Sequence, residues 1–393
     1  MNLLFAIVGA VTALAAIGYC TGAILAVRRP VSAGDDDRAL AAGPVSILKP
    51  LCGEEPGLYE SLRGFFLLDY PDYQIVFGAR RADDPALDVV AQLIREFPDA
   101  DVAVVCDGRV HGANLKVSNL INMSPHARHP VWVLSDSDIR VAPDYLRQVL
   151  SPLGQPRVGV VTALYHAEPY YGGTVCALAG LYLDDWFLPS VLVARWIGKS
   201  DFCLGATIAV RRDVVESLGG FHALKDYLAD DYMLGLLASR NGYQVAMAPR
   251  PVVTTVTERT FRALLDHELR WARTIRAVEP LSFFLSCLQH TISVSLIAAA
   301  LLALGGAGVA LWSGVIAVAT GLRIMLHDQV ARRLGRSGAT RWLVPVRDFL
   351  SFGVWLGSYF GQSVEWRGRR ARVDGRGRLS RALEEGAHED AVS

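Results

Sequence analysis

Two long runs without charged side chains, one near each end of the chain, constrain this sequence most. The first run, Leu3–Val27, is 25 residues long, and the second, Pro280–Leu322, is 43 residues long; neither contains Asp, Glu, Lys or Arg. A helix of about 20 apolar residues crosses the hydrocarbon core of a bilayer. The first run is therefore long enough for one crossing and the second for two. We predict an N-terminal transmembrane anchor over residues 1–27 and two antiparallel spans within residues 281–326, near 282–303 and 307–325.

Arginines next to the first run indicate its orientation. Arg28 and Arg29 follow the run directly, where a cleavable signal peptide would have small residues, and no Lys or Arg precedes it. We therefore interpret the run as a retained anchor. Because loops rich in Lys and Arg stay on the cytoplasmic side, the C-terminal end of this anchor is expected in the cytoplasm.

A third apolar block, residues 343–364, contains Arg347 and Asp348. Seven arginines follow it within residues 365–393. If the block spanned the membrane, those arginines would lie on the outer side, against the positive-inside rule. We therefore predict a re-entrant or interfacial segment in which Arg347 and Asp348 are paired or face protein. Residues 365–393 are then a basic cytoplasmic tail.

The charge balance and the cysteines exclude several other classes of protein. Lys and Arg together number 39, as do Asp and Glu, so the chain lacks the excess of positive charge that is typical of nucleic-acid binding. Its residues are 52% hydrophobic and 20% charged, which excludes a chain disordered throughout. The six cysteines are scattered, without a CxxC pair. Their spacing argues against a zinc site or a disulfide scaffold and is typical of a reducing compartment.

The sequence between the two runs has the pattern of an α/β domain. A small polar linker, residues 28–43, leads into a domain over residues 44–280. Short apolar runs alternate there with stretches at helical spacing, which predicts a parallel sheet covered by helices on both faces. The predicted strands are 45–48, 74–78, 101–106 and 131–134, and the predicted helices are 58–68 and 86–97. Because ligands bind at the carboxyl ends of such strands, one crevice is expected to hold Lys49, Asp83, Asp84, Asp136 and Asp138.

The strongest local signal is the pair Asp136 and Asp138, which follows the apolar strand Val131–Leu134. In extended backbone the two side chains share a face, so both carboxylates could bind one hard cation and its diphosphate ligand. Solvated carboxylates in a turn, or a helix cap, would leave the same short pattern. An aspartyl-phosphate phosphatase is a third alternative, but it requires Thr or Gly after the second Asp, and Ile139 follows here.

Two further acidic pairs have a structural and a functional interpretation each. Asp83 and Asp84 lie just past a predicted strand, where a carboxylate could accept hydrogen bonds from a base or a ribose. A helix cap followed by Pro85 would give the same sequence. Asp230 and Asp231 open an apolar helical stretch, either as caps or with one of them beside an acceptor hydroxyl as a general base.

Cationic and aromatic side chains complete the set of candidates. Lys116 could reach a phosphate as a point charge. His267, Arg270 and Trp271 lie in a helical stretch, residues 260–279, that mixes arginines with apolar residues. This stretch is either an interfacial helix leading into the membrane or a helix that directs Arg270 and Trp271 toward the diphosphate of a donor.

The order of these motifs resembles that of the GT-A, family-2-like processive and lipid glycosyltransferases. Their pattern is a first Asp, a DxD, a further Asp in an acidic pair, and then (Q/R)xxRW. The resemblance spans residues 44–280, is strong with the ceramide glucosyltransferase branch, and within it points to the hopanoid biosynthesis-associated glycosyltransferases of bacteria. The motifs of the wider branch are Ser46–Leu51, Leu68–Pro71, Asp83–Ala86, Asp136–Val141 and Asp231–Tyr232, and those of the hopanoid group are Lys49–Gly53, Val117–Asn122, Trp186–Ser190 and His267–Trp271.

The resemblance implies a Rossmann-like GT-A domain flanked by transmembrane helices, and a role for each motif residue. Asp231 would be the general base that takes the proton from the acceptor hydroxyl. His267 stands at the position where the pattern has Gln or Arg. His267 and Asp230 are both expected to contact the acceptor or a phosphate. Nucleotide-sugar binding falls to Asp83, Asp84, Lys116, Asp136, Arg270 and Trp271, and Mg²⁺ or Mn²⁺ binding to Asp136 and Asp138.

The expected activity is an inverting transfer from a UDP-sugar to a membrane lipid, by a multi-pass enzyme of the bacterial inner membrane whose catalytic domain faces the cytoplasm. The resemblance implies bacteriohopanetetrol, a hopanoid polyol, as acceptor and UDP-N-acetylglucosamine as donor. Transfer of glucose from UDP-glucose to ceramide is the alternative. A phosphatase with Asp136 as nucleophile would not explain Asp231, and a non-enzymatic lipid-binding protein would leave the acidic motifs without a use. The expected partners are the donor, the lipid and the bilayer, without nucleic acid.

Overall fold

The structure is a computed structural model, and it describes residues 1–29, 36–361, 363–366, 369–374 and 377–380. Its helices are α1 Asn2–Arg28, α2 Asp36–Ala41, α3 Leu58–Arg63, α4 Ala86–Glu96, α5 Leu115–Met123, α6 Tyr145–Leu150, α7 Thr174–Leu181, α8 Leu188–Trp196, α9 Arg212–Ser217, α10 Asp230–Arg240, α11 Phe261–Val278, α12 Pro280–Leu285, α13 Thr291–Leu304, α14 Val309–Arg333 and α15 Val344–Gly357. Its strands are β1 Val45–Pro50, β2 Tyr73–Ala79, β3 Val102–Cys106, β4 Val131–Ser135, β5 Ile139–Arg140, β6 Val158–Thr162, β7 Tyr165–Pro169, β8 Thr207–Arg211, β9 Gln244–Met247, β10 Val252–Val256, β11 Ser363–Trp366, β12 Arg369–Val373 and β13 Leu379–Ser380.

Seven strands form the central sheet, in the order β3-β2-β1-β4-β8-β6-β9. β1 pairs in parallel with β2 and β4, so that Ile47 lies between Ile75 and Val133. Alternate residues enter hydrophobic cores on opposite faces: Ile47 and Val133 lie in one core, and Leu48 and Leu134 lie in the other. Both faces are covered, as predicted, so β1, β2 and β4 are buried along nearly their whole length and carry apolar residues on both faces.

The sheet is mixed, whereas the sequence pattern predicted a parallel one. β8 pairs antiparallel with both β4 and β6, and β9 runs parallel to β6. All of β8 except Arg211 is buried, so its composition matches that of a buried parallel strand and carries no information on strand direction. The predicted helix 58–68 is also shorter, since α3 ends at Arg63 and a single 3-10 turn follows over Gly64–Phe66.

A second sheet of three strands, β5-β10-β7, holds the turn that follows β4. β5 begins directly after Asp138 and pairs antiparallel with β10. The backbone carbonyl of Asp138 accepts a hydrogen bond from Thr255 N at 3.2 Å. The backbone of the Asp136–Asp138 turn is therefore attached to a sheet as it leaves β4.

Helices from the two ends of the chain pack together, since α1, α13 and α14 are mutual neighbours. Within the described residues, α1 and α14 are long and apolar enough to cross a membrane. The stretch Thr174–Trp196, which the sequence pattern did not single out, also passes this test but lies mostly inside the protein. The predicted span near 282–303 is not straight, because Pro280–Gln289 and Thr291–Leu304 meet at 78°. The polar residues around the break interrupt an otherwise apolar run. Membrane crossing by all of these helices stays a prediction.

The two charged residues of the third apolar block are both paired inside the protein, as expected. Arg347 of α15 donates to Glu268 Oε1 of α11 at 2.8 Å, and both side chains are buried. Asp348 accepts from the hydroxyl of Ser293 at 2.7 Å and lies 3.8 Å from Arg323. The re-entrant or interfacial placement of the block 343–364 stays a prediction. Part of the predicted linker, residues 30–35, and most of the predicted basic tail lie outside the described residues.

Candidate active site

Lys49, at the carboxyl end of β1, contacts the turn after β4 that carries Asp136 and Asp138. Lys49 is fully buried, and its ammonium donates to the backbone carbonyl of Asp136 and to Ser135 Oγ, the latter at 3.3 Å. The same ammonium lies 4.0 Å from the centre of the Phe65 ring. Burial lowers the pKa of Lys49 to about 7, while the carboxylates of Asp138 and Asp136 oppose this shift. Lys49 therefore fixes the backbone of the turn on which the two carboxylates sit.

Asp136 forms an ion pair with Lys116, whose Nζ lies 2.5 Å from Asp136 Oδ1. Lys116 is in the first turn of α5, and this helix is capped by Asn114, whose Oδ1 accepts from Val117 N at 3.1 Å. Burial alone would lower the pKa of Lys116, but the carboxylates of Asp136 and Asp230 raise it above its ordinary value. The structure thus brings together Lys116 and Asp136, which the sequence pattern only placed on separate elements.

Asp138 lies in a poorly solvated position beside Asp136. Its Oδ2 accepts from Thr254 Oγ1 of β10 at 2.6 Å. Burial, and then the charge of Asp136, raise the pKa of Asp138 to about 6. Ser137, between the two, donates instead to Glu55 at 2.6 Å.

The donor set of this turn fits a divalent cation. Among the described residues there is no group of three or more His, Cys, Asp or Glu side chains placed to hold a metal. Asp136 and Asp138 would therefore supply two carboxylates, with the remaining oxygen ligands from the donor diphosphate and water, as is usual for Mg²⁺. Burial, and then the charge of Asp136, disfavour the ionised form of Asp138. A divalent cation bound by both carboxylates would favour that ionised form.

The second acidic pair opens α10 and faces the same region. Asp230 Oδ1 accepts from Asn114 Nδ2 at 3.2 Å, and Asp231 Oδ1 accepts from Tyr232 N at 2.8 Å. Burial, together with the charge of Asp230, raises the pKa of Asp231 to about 7. A Cβ on Gly205 would lie 3.1 Å from Asp231 Oδ2 and 3.7 Å from Asp136 Oδ2. The two carboxylates therefore converge on this glycine.

The structure gives Asp84 the structural role that the sequence left open. Its carboxylate accepts from Gly53 N at 2.9 and 3.1 Å, and from Ala86 N at 3.0 Å. These bonds tie the turn after β1 to the start of α4. Asp83 is largely exposed and pairs with Arg81. Contacts of Asp83 and Asp84 to a base or ribose stay a prediction.

Helix α11 places Trp271 in an aromatic cluster beside the acidic residues. The Trp271 ring lies 6.5 Å from Tyr165, 6.2 Å from Tyr182 and 6.3 Å from Phe187, centre to centre. His267 packs edge-on against it at 4.8 Å. The Nδ1 of His267 contacts the carboxylate of Glu258, so this ring nitrogen already has a partner within the protein. His267 thus holds the edge of Trp271, and a phosphate contact for it stays a prediction.

Comparison with known proteins assigns the chain to a family. The family model for glycosyl transferase family 21 matches residues 8–379. The chain belongs to this family. Ceramide glucosyltransferases 1 and 3 of Caenorhabditis elegans are each 26% identical to it, over 266 and 258 residues, which cover 65% of this chain and 54% and 55% of theirs. The chain thus spans about half the length of the curated relatives it matches.

A solved structure supports the fold of this family 21 member independently. The mannosyltransferase PcManGT from Pyrobaculum calidifontis, in complex with GDP-Man and Mn²⁺, superposes with a TM-score of 0.54 at 19% identity. The alignment covers 92% of this chain and 99% of that one. The predicted GT-A fold is therefore confirmed.

Sequence reasoning missed two residues of this family 21 site. Tyr165, at the start of β7, lies 4.6 Å from the Phe187 ring and joins the aromatic cluster to the carboxylates. Burial raises its pKa well above the ordinary value, and the charges of Asp231 and Asp136 raise it further. Gly205 was the second. The position of Tyr165 at the end of the mostly apolar run 158–164 was a signal for the first, whereas Gly205 had none outside the folded structure.

Proposed function

We propose that this protein transfers a hexose from a UDP-sugar to a hydroxyl of a membrane lipid, with inversion at the anomeric carbon. The observation that carries this proposal is the convergence of Asp136 and Asp231 on Gly205, with Lys116 bound to Asp136. Membership of glycosyl transferase family 21 and the names of the curated relatives support the reaction class. The apolar helices α1 and α14 support a membrane location.

An inverting transfer needs a base for the acceptor proton, and we assign that task to Asp231. Its Oδ1 is occupied by the backbone N–H of Tyr232, while Oδ2 faces Gly205. We assign Oδ2 to the proton of the attacking hydroxyl. Because burial holds the pKa of Asp231 near 7, its carboxylate is a stronger base than an exposed aspartate and is still ionised in part at neutral pH.

The leaving UDP gains negative charge on its diphosphate as the bond from the anomeric carbon to the phosphate oxygen breaks and the acceptor oxygen bonds to that carbon. Lys116, already bound to Asp136, supplies a fixed positive charge where that negative charge develops. A divalent cation held by Asp136 and Asp138 would add electrostatic stabilisation of the diphosphate. Arg270 and Trp271 of α11 are proposed to contact the diphosphate and the acceptor. Lys49 contributes by donating a hydrogen bond to the backbone carbonyl of Asp136, which holds this turn in place.

The geometry also suggests how a lipid reaches the site. α11 carries Trp271 and is tied to α15 through the buried pair of Glu268 and Arg347. Large apolar side chains on α12 and α15 are exposed, among them Leu281, Phe284 and Phe349. Such a surface fits the bilayer interface. A lipid confined to that plane would then meet Trp271 at a fixed depth, which lowers the entropic cost of bringing the hydroxyl to the donor.

Two pairs of acceptor and donor are considered, and each pair is supported by a different observation. The motif resemblance favours bacteriohopanetetrol with UDP-N-acetylglucosamine, and the names of the curated relatives favour ceramide with UDP-glucose. We place the reaction at the cytoplasmic face of a bacterial inner membrane, because Arg28 and Arg29 follow α1 and the positive-inside rule puts them in the cytoplasm.

The test is a transfer assay on membranes that contain the full chain. Bacteriohopanetetrol and ceramide are offered side by side, each with radiolabelled UDP-N-acetylglucosamine and UDP-glucose, with and without Mg²⁺ or Mn²⁺. Label in the hopanoid supports the first pair, and label in ceramide only supports the second. An absence of label in every lipid, from protein that does not bind UDP, would contradict the proposed reaction class.

A further inference from the structure

The end of the described chain lies against the loop that precedes the proposed general base. Gly377 O accepts from Leu228 N at 3.1 Å, and Leu379 N donates to Asp226 O at 2.8 Å. Between these bonds Arg378 and Tyr227 form an antiparallel bridge. Residues 377–379 therefore add a short strand to residues 226–228, two residues before α10 begins at Asp230.

The opposite side of the same loop is held by the segment that leads into α5. Asn114 N donates to Lys225 O at 2.8 Å, and Asn114 Nδ2 donates to Tyr227 O at 2.8 Å. Ala113 N donates to the carboxylate of Asp226 at 3.0 Å. Since Asn114 also donates to Asp230 Oδ1 at 3.2 Å, this loop is joined by hydrogen bonds to the start of the helix that carries the proposed base.

Residues 360–361, which precede residues 377–379 in the sequence, are bound to helix α11. Arg273 of α11 donates to the carbonyl of Phe360 at 3.0 Å, and Arg276 donates to the carbonyl of Gly361 at 3.1 Å. Gly377 then lies against Val278, the last residue of α11, so closely that a Cβ on Gly377 would stand 2.6 Å from Val278 Cγ1. Residues 360–361 and Gly377 thus contact α11, and residues 377–379 also contact the loop before Asp231.

We propose that residues 377–379 are a positioning segment for Asp231. The part of the chain that follows α15 thereby completes the acceptor side of a site whose other residues all precede α12. The inference rests on the proposed function, because it assigns the segment a task in that transfer. It also makes a separate structural claim, that the segment holds residues 226–231 in place.

Gly377→Ala is the variant that tests this claim. Gly377 has φ +75°, a conformation that disfavours a side chain, and the added methyl would meet Val278. Gly242→Ala is the matched control, since Gly242 has φ +86° with no atom within 4 Å of the added Cβ. We expect Gly377→Ala to lower kcat for lipid transfer about tenfold, through misplacement of the base, with KM for the UDP-sugar unchanged. Gly242→Ala should have neither effect.

Two further measurements separate this task from general destabilisation. Val278→Ala added to Gly377→Ala removes the colliding methyl and should restore kcat. Hydrogen exchange should be faster at residues 226–231 in Gly377→Ala but not in Gly242→Ala. The collision with Val278 would displace residue 377 and with it the backbone carbonyl that accepts from Leu228 N–H.

The outcomes distinguish the inference from the function on which it rests. Equal kcat in the two glycine variants, or a loss in donor affinity with kcat unchanged, would overturn the inference while the function stands. Unchanged exchange at residues 226–231 would overturn it even if the wild-type protein showed no transfer. A wild-type protein without transfer, but with faster exchange in Gly377→Ala, would contradict the proposed function and leave the positioning claim supported.

Discussion

Transfer by this protein should depend on pH in a direction that the structure sets. Burial, together with the carboxylate of Asp230, raises the pKa of Asp231 to about 7, while Lys116 opposes the rise. An acid with a raised pKa keeps its proton to higher pH, so the ionised base becomes populated only as the pH rises through that value. Between about pH 6 and about pH 8 the ionised fraction of Asp231 grows about tenfold, and the rate should grow with it.

The assay is kcat/KM for the UDP-sugar at saturating lipid, measured in vesicles across this range. This parameter reports groups of the enzyme before the donor binds. Asp230→Asn removes the like charge next to Asp231 and should move the rise to lower pH, whereas Glu216→Gln, an exposed carboxylate paired with Arg212, serves as a control. A rate that is flat between about pH 6 and about pH 8, or a rise that Asp230→Asn moves to higher pH, would refute the reasoning.

Three further predictions concern the metal turn, the buried ion pair and the glycine between the carboxylates. Asp136→Asn and Asp138→Asn should each weaken Mg²⁺- or Mn²⁺-dependent UDP binding in calorimetric titrations, and an unchanged metal dependence would contradict the assignment. Arg347→Met leaves Glu268 buried without its partner and should cost about 3–5 kcal/mol of stability, read as a lower melting temperature in detergent. Adding Glu268→Leu should recover most of that loss, and no recovery would mean that the pair is not the cause. Gly205→Ala places a methyl 3.1 Å from Asp231 Oδ2 and should lower kcat about tenfold with UDP binding retained. Gly172→Ala is the control, because its methyl meets nothing within 4 Å, and it should have no effect. Equal rates in the two variants would count against a role for Gly205.

Much of the site could be predicted because strand ends and helix starts are local features. Asp136 and Asp138 follow an apolar strand, and Asp231 opens a helix, so the sequence indicated both elements before their distance was known. The convergence itself depends on β8, which pairs antiparallel with β4 and delivers Gly205 between the two carboxylates. A buried strand has the same composition in either direction, so the mixed sheet was outside the reach of the sequence pattern.

The partners of charged residues were harder to predict, because they are set by tertiary contacts. His267 stands where a phosphate-binding residue was expected, yet its side chain contacts Glu258 in the loop before α11. Arg347 was expected to be paired, but nothing in the sequence indicated Glu268, which lies 79 residues away. The contact of residues 377–379 with residues 226–228 is made by backbone hydrogen bonds and by one pair of side chains, Arg378 and Tyr227. Backbone hydrogen bonds leave no side-chain pattern to recognise, and a single pair of side chains far apart in sequence does not stand out either.

The central claim is that Asp231 is the base of a UDP-sugar-dependent transfer to a membrane lipid, and Asp231→Asn tests it most directly. The variant keeps the shape of the side chain and the acceptor oxygen for Tyr232 N, but it has no carboxylate to take a proton. Transfer and UDP binding are measured on the same preparation in vesicles. We predict that transfer is lost while UDP binds as in the wild-type protein. Transfer at the wild-type rate, or loss of UDP binding with the loss of transfer, would contradict the assignment.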